Sequence, residues 1–116
     1  MTPDDFRALA LALPESAESS HMGQADFRVR NKIFATLPDL DKDLRDRGMV
    51  KLTPEQQALY VAEHAAFHPV PGGWGKGGAT YVQLDTADAA IVRRAIETAW
   101  RNTAPKTLAA TFTPRD

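Results

Sequence analysis

The residues with most scope for chemistry lie in a glycine-dense stretch, residues 69–84 (PVPGGWGKGGATYVQL). It holds Trp74, Lys76 and five of the seven glycines. A flat indole stacks on a base or lies against a sugar, an ammonium pairs with phosphate, and glycines let the backbone approach closely. Arg28, Arg30 and Lys32 supply further cations on alternate positions, and Lys51 another. They make a basic edge if their strands are neighbours; on the wet face of a hairpin the same side chains also guard against aggregation.

The segment Gly73-Trp74-Gly75-Lys76-Gly77-Gly78 has the literal spacing G-x-G-x-x-G. A dinucleotide fingerprint follows a strand and opens a helix, so that helix amides meet the pyrophosphate. Here a proline-bounded loop precedes the motif and a strand follows. A Walker loop fails as well, because Gly77 rather than Ser or Thr follows Lys76.

The other constellations are thinner. His64 and His68 have a helical ligand spacing, but Pro69 and the helix end work against a shared helix face, so no metal is expected. Ser19-Ser20-His21 sets hydroxyl beside imidazole, yet a strand sends neighbours to opposite faces and no nucleophile elbow is present. No catalytic residue and no cofactor are assigned. His21 reads as a structural hydrogen-bonding residue or, with Trp74, as the lining of a pocket under the loop from Gly72 to Gly78. Arg93, Glu97 and Arg101 stand at i, i+4, i+8 and read as surface ion pairs, worth about 0.2–0.5 kcal/mol each.

The bulk numbers bound these readings. The 116 residues suit a single domain spanning 1–116, with its last few residues frayed. With no cysteine there is no disulfide, thiol nucleophile or cysteine zinc site, which fits a cytoplasmic location. The N-terminus carries Asp4 and Asp5 and no basic region, unlike a signal peptide, and no apolar run is long enough to span a bilayer. The formal charge is −1, so binding to nucleic acid requires local clustering of cations.

The elements that must position these residues follow in order. Thr2 caps a first helix with Pro3 at its start and Asp4 and Asp5 in its first turn; Phe6, Leu9, Ala10 and Leu13 form its inner face, and Pro14 ends it. Residues 15–22 suggest a short edge strand. Residues 27–37 form a hairpin around Asn31, either with a three-residue loop setting Val29 opposite Ile33 or with an Arg30-Asn31 turn pairing Val29 with Lys32 and Phe27 with Phe34. Phe34 departs from the alternation, giving the hairpin a partly apolar second face that suits a homodimer contact. The acid-base mixture at 38–48 reads as a solvated loop. Residues 49–52 make a strand with Val50 and Leu52 inward, and Thr53-Pro54-Glu55-Gln56 starts a surface helix with a weak inner face of Ala58, Leu59 and Ala62. A short edge strand at 67–70 precedes the glycine loop. Thr80, Val82 and Leu84 then alternate, and Asp85 or Thr86 caps the longest helix, with Ile91, Val92, Ala95, Ile96 and Ala99 as its stripe and Trp100 at the margin. A last short turn or helix begins after Pro105. The whole is an α+β chain: a single antiparallel sheet of about five strands with helices packed mainly on one face.

Taken together, the chain resembles the MmcQ/YjbR family of small bacterial proteins from about Asp5 to Ala110. The resemblance is carried by LALALPES and by SHMGQADFRVRNKIFATL, with His21, Phe27, Val29, Lys32, Ile33, Phe34 and Ala35. It continues in MVKLTPEQ, in PGGWGKGG before its strand, and in AW followed by APKTLAA around Trp100, Pro105 and Lys106. It implies a CyaY-like fold and a DNA-binding role through a "double wing" of sheet and loops. Two departures stand out: Arg30-Asn31 replaces a glycine-rich turn, and Ala79 stands where relatives often carry a second tryptophan. The expectation is a non-enzymatic DNA-binding protein of modest sequence specificity, with Arg28, Arg30, Lys32, Lys51 and Lys76 on phosphate and Trp74 against sugar or base. The alternative is a small-molecule or protein-interaction module using the pocket beneath the loop.

Overall fold

The computed structural model describes residues 1–21, 24–37 and 46–113, with His21 described by its backbone alone. The expected solvated loop at 38–48 therefore lies mostly outside the described residues. The elements run α1 (Pro3–Leu11), β1 (Ser16–His21), β2 (Gln24–Val29), β3 (Lys32–Leu37), β4 (Arg47–Lys51), α2 (Pro54–Glu63), β5 (Phe67–Pro69), α3 (Gly73–Lys76), β6 (Ala79–Gln83), α4 (Ala89–Thr103) and α5 (Lys106–Ala109). The strands form one antiparallel sheet of six, in the order β1-β2-β3-β4-β6-β5. The expected count is about five; β1 and β5, both read from the sequence as edge strands, are the two edges.

Local chemistry explains the helix starts. Thr2 with Asp5, and Thr53 with Gln56, each form a reciprocal capping box with proline in the first turn. The cap of α4 is Asp88, not Asp85 or Thr86: its carboxylate accepts from the amides of Ala90 and Ile91. Residues 84–86 instead complete a turn out of β6.

The hairpin resolves as the two-residue turn. Arg30 and Asn31 both take positive φ, 51° and 66°, the mirror-image geometry whose twist suits a tight hairpin, and Val29 faces Lys32. Phe27, however, pairs with Ala35 and Arg28 with Ile33, so Phe34 is the unpaired residue of a β-bulge. The bulge lets Phe34, Ala35 and Leu37 all enter the core beneath the helices. Phe34 therefore belongs to the core side and not to the second face; Ile33, Thr36 and Met49 occupy that other side of the sheet.

The core lies between the sheet and α1 and α4. Val92, Ala95, Ile96, Ala99 and Trp100 are its α4 contribution, and Trp100 is fully buried rather than marginal. Its indole N–H donates to the Pro14 carbonyl at 3.1 Å. Helix α2 lies on the surface, but its inner side is Tyr60 and Val61, not Ala58, Leu59 and Ala62; Leu59 is 62% exposed. The Tyr60 ring stacks 5.0 Å from Phe67 and 5.8 Å from His64, which turns that side of α2 inward. Among the described residues, no helix is long and apolar enough to cross a membrane.

Candidate nucleic-acid interface

The glycine stretch is more ordered than a loop expectation suggests. It connects β5 to β6 as a wing at the end of the sheet and contains the single helical turn α3. Backbone and side chain tie it down: Val70 N–H donates to Ala79, Leu52 N–H to Gly78, and the Gln57 amide donates to the carbonyls of both Gly75 and Ala79 at 2.9 Å. Two glycines are needed for close approach. A Cβ on Gly75 would stand 1.5 Å from the Val70 oxygen, and one on Gly78, at φ +113°, would stand 1.9 Å from the Leu52 oxygen. The wing holds Trp74 out, 74% exposed, over the side of the sheet that carries no long helix.

Beneath Trp74 is a cavity of about 340 Å³. Its floor is Ile33, Thr36 and Met49, its roof Gly73, Trp74 and Gly77, and Lys51 stands in its wall. Ile33 and Lys51 also line a second hollow at the end of the sheet, shared with Arg28, Asn31, Lys32, Asn102 and Thr103. Lys32, Asn102 and Thr103 in turn line a third, with Arg30, Arg101, Pro105 and Lys106. The three hollows thus adjoin through shared walls, and no Asp or Glu appears among their described lining residues. The C-terminal end of α4 is held there by Asn102, whose amide donates to the Lys51 carbonyl at 3.2 Å and to Gln56 at 2.7 Å.

The structure therefore gathers Arg28, Lys32 and Lys51 around one hollow and puts Arg30 on the next. Trp74 meets Lys51 across the cavity. Lys76, exposed on α3, lines none of the three. His21 ends β1 opposite Gln24, on the far edge strand, while the cavity draws on β3, β4, α3 and the start of β6; its side chain lies outside the described residues. His64 is engaged with the rings of Tyr60 and Phe67, and His68 sits on β5 opposite Tyr81.

The cations differ in availability. Arg28 grips the buried Asp26 carboxylate with two bonds, at 2.8 and 3.1 Å. Arg30 makes a similar fork to Glu15, at 2.5 and 3.0 Å. That hydrogen bond, with the charge behind it, holds the Glu15 carboxyl below its ordinary range. Lys32, Lys51, Lys76 and Lys106 make no ion pair with a described residue.

Sequence reasoning overlooked Asn102, Thr36, Met49 and Arg101 as lining residues. Arg101 reads by spacing as a surface ion pair; instead it donates to the Ala109 and Phe112 carbonyls and fastens the C-terminal turn. Nothing in the sequence signals Asn102, because its position depends on where α4 ends against β4.

Comparison with solved structures aligns 97% of this chain with 82% of a protein of Deinococcus radiodurans, DR2400, whose crystal structure is described as carrying a DUF419 domain. The TM-score is 0.69 and the identity 21%, a likeness of fold. No curated protein sequence matches the chain. The family model described as YjbR matches residues 11–102, covering the hairpin, the wing and most of α4. The chain therefore belongs to the YjbR family.

Proposed function

We propose that this protein is a non-enzymatic DNA-binding member of the YjbR family that holds phosphate along the adjoining hollows between its hairpin and the C-terminal end of α4. The observation that carries the reading is the clustering of Lys32, Lys51, Arg30, Arg101 and Lys106 along a surface whose described lining has no carboxylate, in a chain of net charge −1. Cations so gathered create a local field that the whole-molecule charge conceals. Contacts to phosphate carry no sequence code, so unrelated duplexes bind with similar affinity.

A labelled duplex titrated at two salt concentrations tests this. Lys32, Lys51 and Lys106, the lining lysines without carboxylate partners, predict a log–log salt slope of about −2.7, from about 0.9 per phosphate contact. Reversing Lys32 and Lys51 together to glutamate should weaken binding by roughly 100-fold, since two counterion-releasing contacts become repulsive. A slope near zero, or a double variant that binds like the parent, rules the reading out.

Glu15 supplies a second, opposite prediction. Glu15→Gln should strengthen duplex binding several-fold by releasing Arg30 for phosphate. The pH dependence has the same origin. A depressed carboxyl pKa means the Arg30–Glu15 pair stabilises the fold above the ordinary value of 4.5 and is lost as pH falls through the folded value. Duplex affinity should therefore rise on acidification in the parent and be less pH-dependent in Glu15→Gln; unchanged binding by that variant would show that Arg30 takes no part.

A second reading, a small-molecule or protein-interaction module, is favoured by the mostly apolar cavity under the wing, with Trp74 in its roof.

A further inference from the structure

We infer that the cavity under Trp74 receives a single nucleobase whose phosphate lies on Lys51 and Lys32 in the adjoining hollow. The proposal rests on the phosphate-binding reading above and adds what sits next to the phosphate.

Three observations converge. First, the cavity has the volume of a small-ligand site, about 340 Å³, with Trp74 on one side and Ile33 and Met49 on the other, so a flat ring has an apolar slot with an aromatic wall. Second, the wall is not wholly apolar. Thr36 projects from the sheet on the same side as Met49, and its hydroxyl makes no hydrogen bond to a described residue. One hydroxyl that both donates and accepts suits a base edge, whereas a purely aliphatic occupant would leave it unsatisfied. Third, Lys51 lines both the cavity and the next hollow, where Lys32 joins it, and neither ammonium has a carboxylate partner among the described residues. Apolar slot and cationic basin thus share one wall. An aromatic base joined to a phosphate has the same arrangement.

A paired base is not available to such a slot, because it is stacked and bonded within the duplex. The shared chemistry, base plus phosphate, has two sources: a free mononucleotide, or an unpaired nucleotide in a single strand. The rigid seating of the wing favours a preformed site over one that must be ordered on binding, since Gln57 and the buried Gly75 and Gly78 hold it in place.

The test compares ligands with and without the base. Deoxynucleoside 5′-monophosphates and deoxyribose 5-phosphate are titrated calorimetrically, alongside short single strands with an intact or an abasic terminal unit. The base should add about tenfold in affinity, in the range of one aromatic stacking contact. Thr36→Met, which fills the slot from the sheet side, should remove that preference and leave the affinity for the abasic ligands unchanged. Lys51→Gln should weaken ligands with and without the base alike. Ala79→Leu narrows the same cavity from β6 and replaces Thr36→Met if that variant fails to fold. A base preference in strands alone identifies the strand as the source; one in free nucleotides identifies the mononucleotide. Equal binding of base-bearing and abasic ligands in both series, or a preference that survives both cavity-filling variants, overturns the proposal. Duplex binding that keeps its salt slope under that outcome leaves the phosphate reading standing, whereas loss of duplex binding as well removes both.

Discussion

Trp100→Ala is expected to lower the stability of this protein by about 3–5 kcal/mol. The side chain is fully buried on α4, within the core cluster that joins α1, the sheet and α4. Its indole N–H is bonded to the Pro14 carbonyl, in the bend between α1 and β1, and its ring meets Phe112 edge-on at 5.2 Å. Truncation removes a large apolar volume and leaves a backbone acceptor without its partner, two costs that add. Against a typical domain stability of about 5–15 kcal/mol, that is a large fraction. Trp100→Phe keeps most of the ring but not the donor, so it should fall between the parent and alanine. Chemical denaturation of the three proteins checks the order; a loss under about 1 kcal/mol for alanine would mean that Trp100 is not the junction its contacts describe. Because Trp100 is shielded and Trp74 is open, a quencher such as iodide reports on Trp74 in the unaltered chain, without a core substitution.

The second large effect is at Gly78. Alanine there meets two penalties together, a backbone at φ +113° that L-residues avoid and a Cβ 1.9 Å from the Leu52 oxygen. The residue cannot move away easily, since its carbonyl accepts from Leu52 N–H and from the Thr80 hydroxyl. A loss of about 2–4 kcal/mol is expected for Gly78→Ala. Because the displaced segment is the wing, Trp74 should lose its position over the sheet and ligand affinity should fall with it. Gly73→Ala is the control: nothing lies within 4 Å of the added methyl, and the residue begins a helical turn. Alanine there should be neutral or slightly stabilising, by no more than about 1 kcal/mol. If Gly78→Ala behaves like Gly73→Ala in both melting and iodide quenching, the wing is not anchored through Gly78.

Much of the architecture was legible in local patterns. Thr2-Pro3-Asp4-Asp5 and Thr53-Pro54-Glu55-Gln56 carry their own helix starts, because capping is a contact between residues three apart. The alternation through Thr80, Val82 and Leu84 and the proline at position 69 identified a strand beside an edge, for reasons of pleat and missing donor. The order of these signals gives an antiparallel α+β sheet and the family resemblance. The same patterns placed Trp100 too far out, because a helix stripe estimated from aliphatic residues alone ignores how far an indole reaches.

The candidate site was legible only as a set of residue types. Arg28, Arg30, Lys32 and Lys51 look equivalent in sequence, yet two are committed to carboxylates and two are not. Asp26 reaches Arg28 along one face of β2, whereas Glu15 reaches Arg30 only because β1 folds back against β2. The bulge at Phe34 decided which side of the sheet received Ile33 and Thr36, since one extra residue reverses the alternation beyond it. The junction of Lys51 with Asn102 depended on α4 ending beside β4. Contacts between neighbours a few positions apart thus account for what the sequence shows: the main elements, the caps of α1 and α2 and the supply of cations. Which cations lack a carboxylate partner among the described residues, and whether a cavity opens beside them, depends on side chains brought together from distant positions, which short-range patterns do not encode.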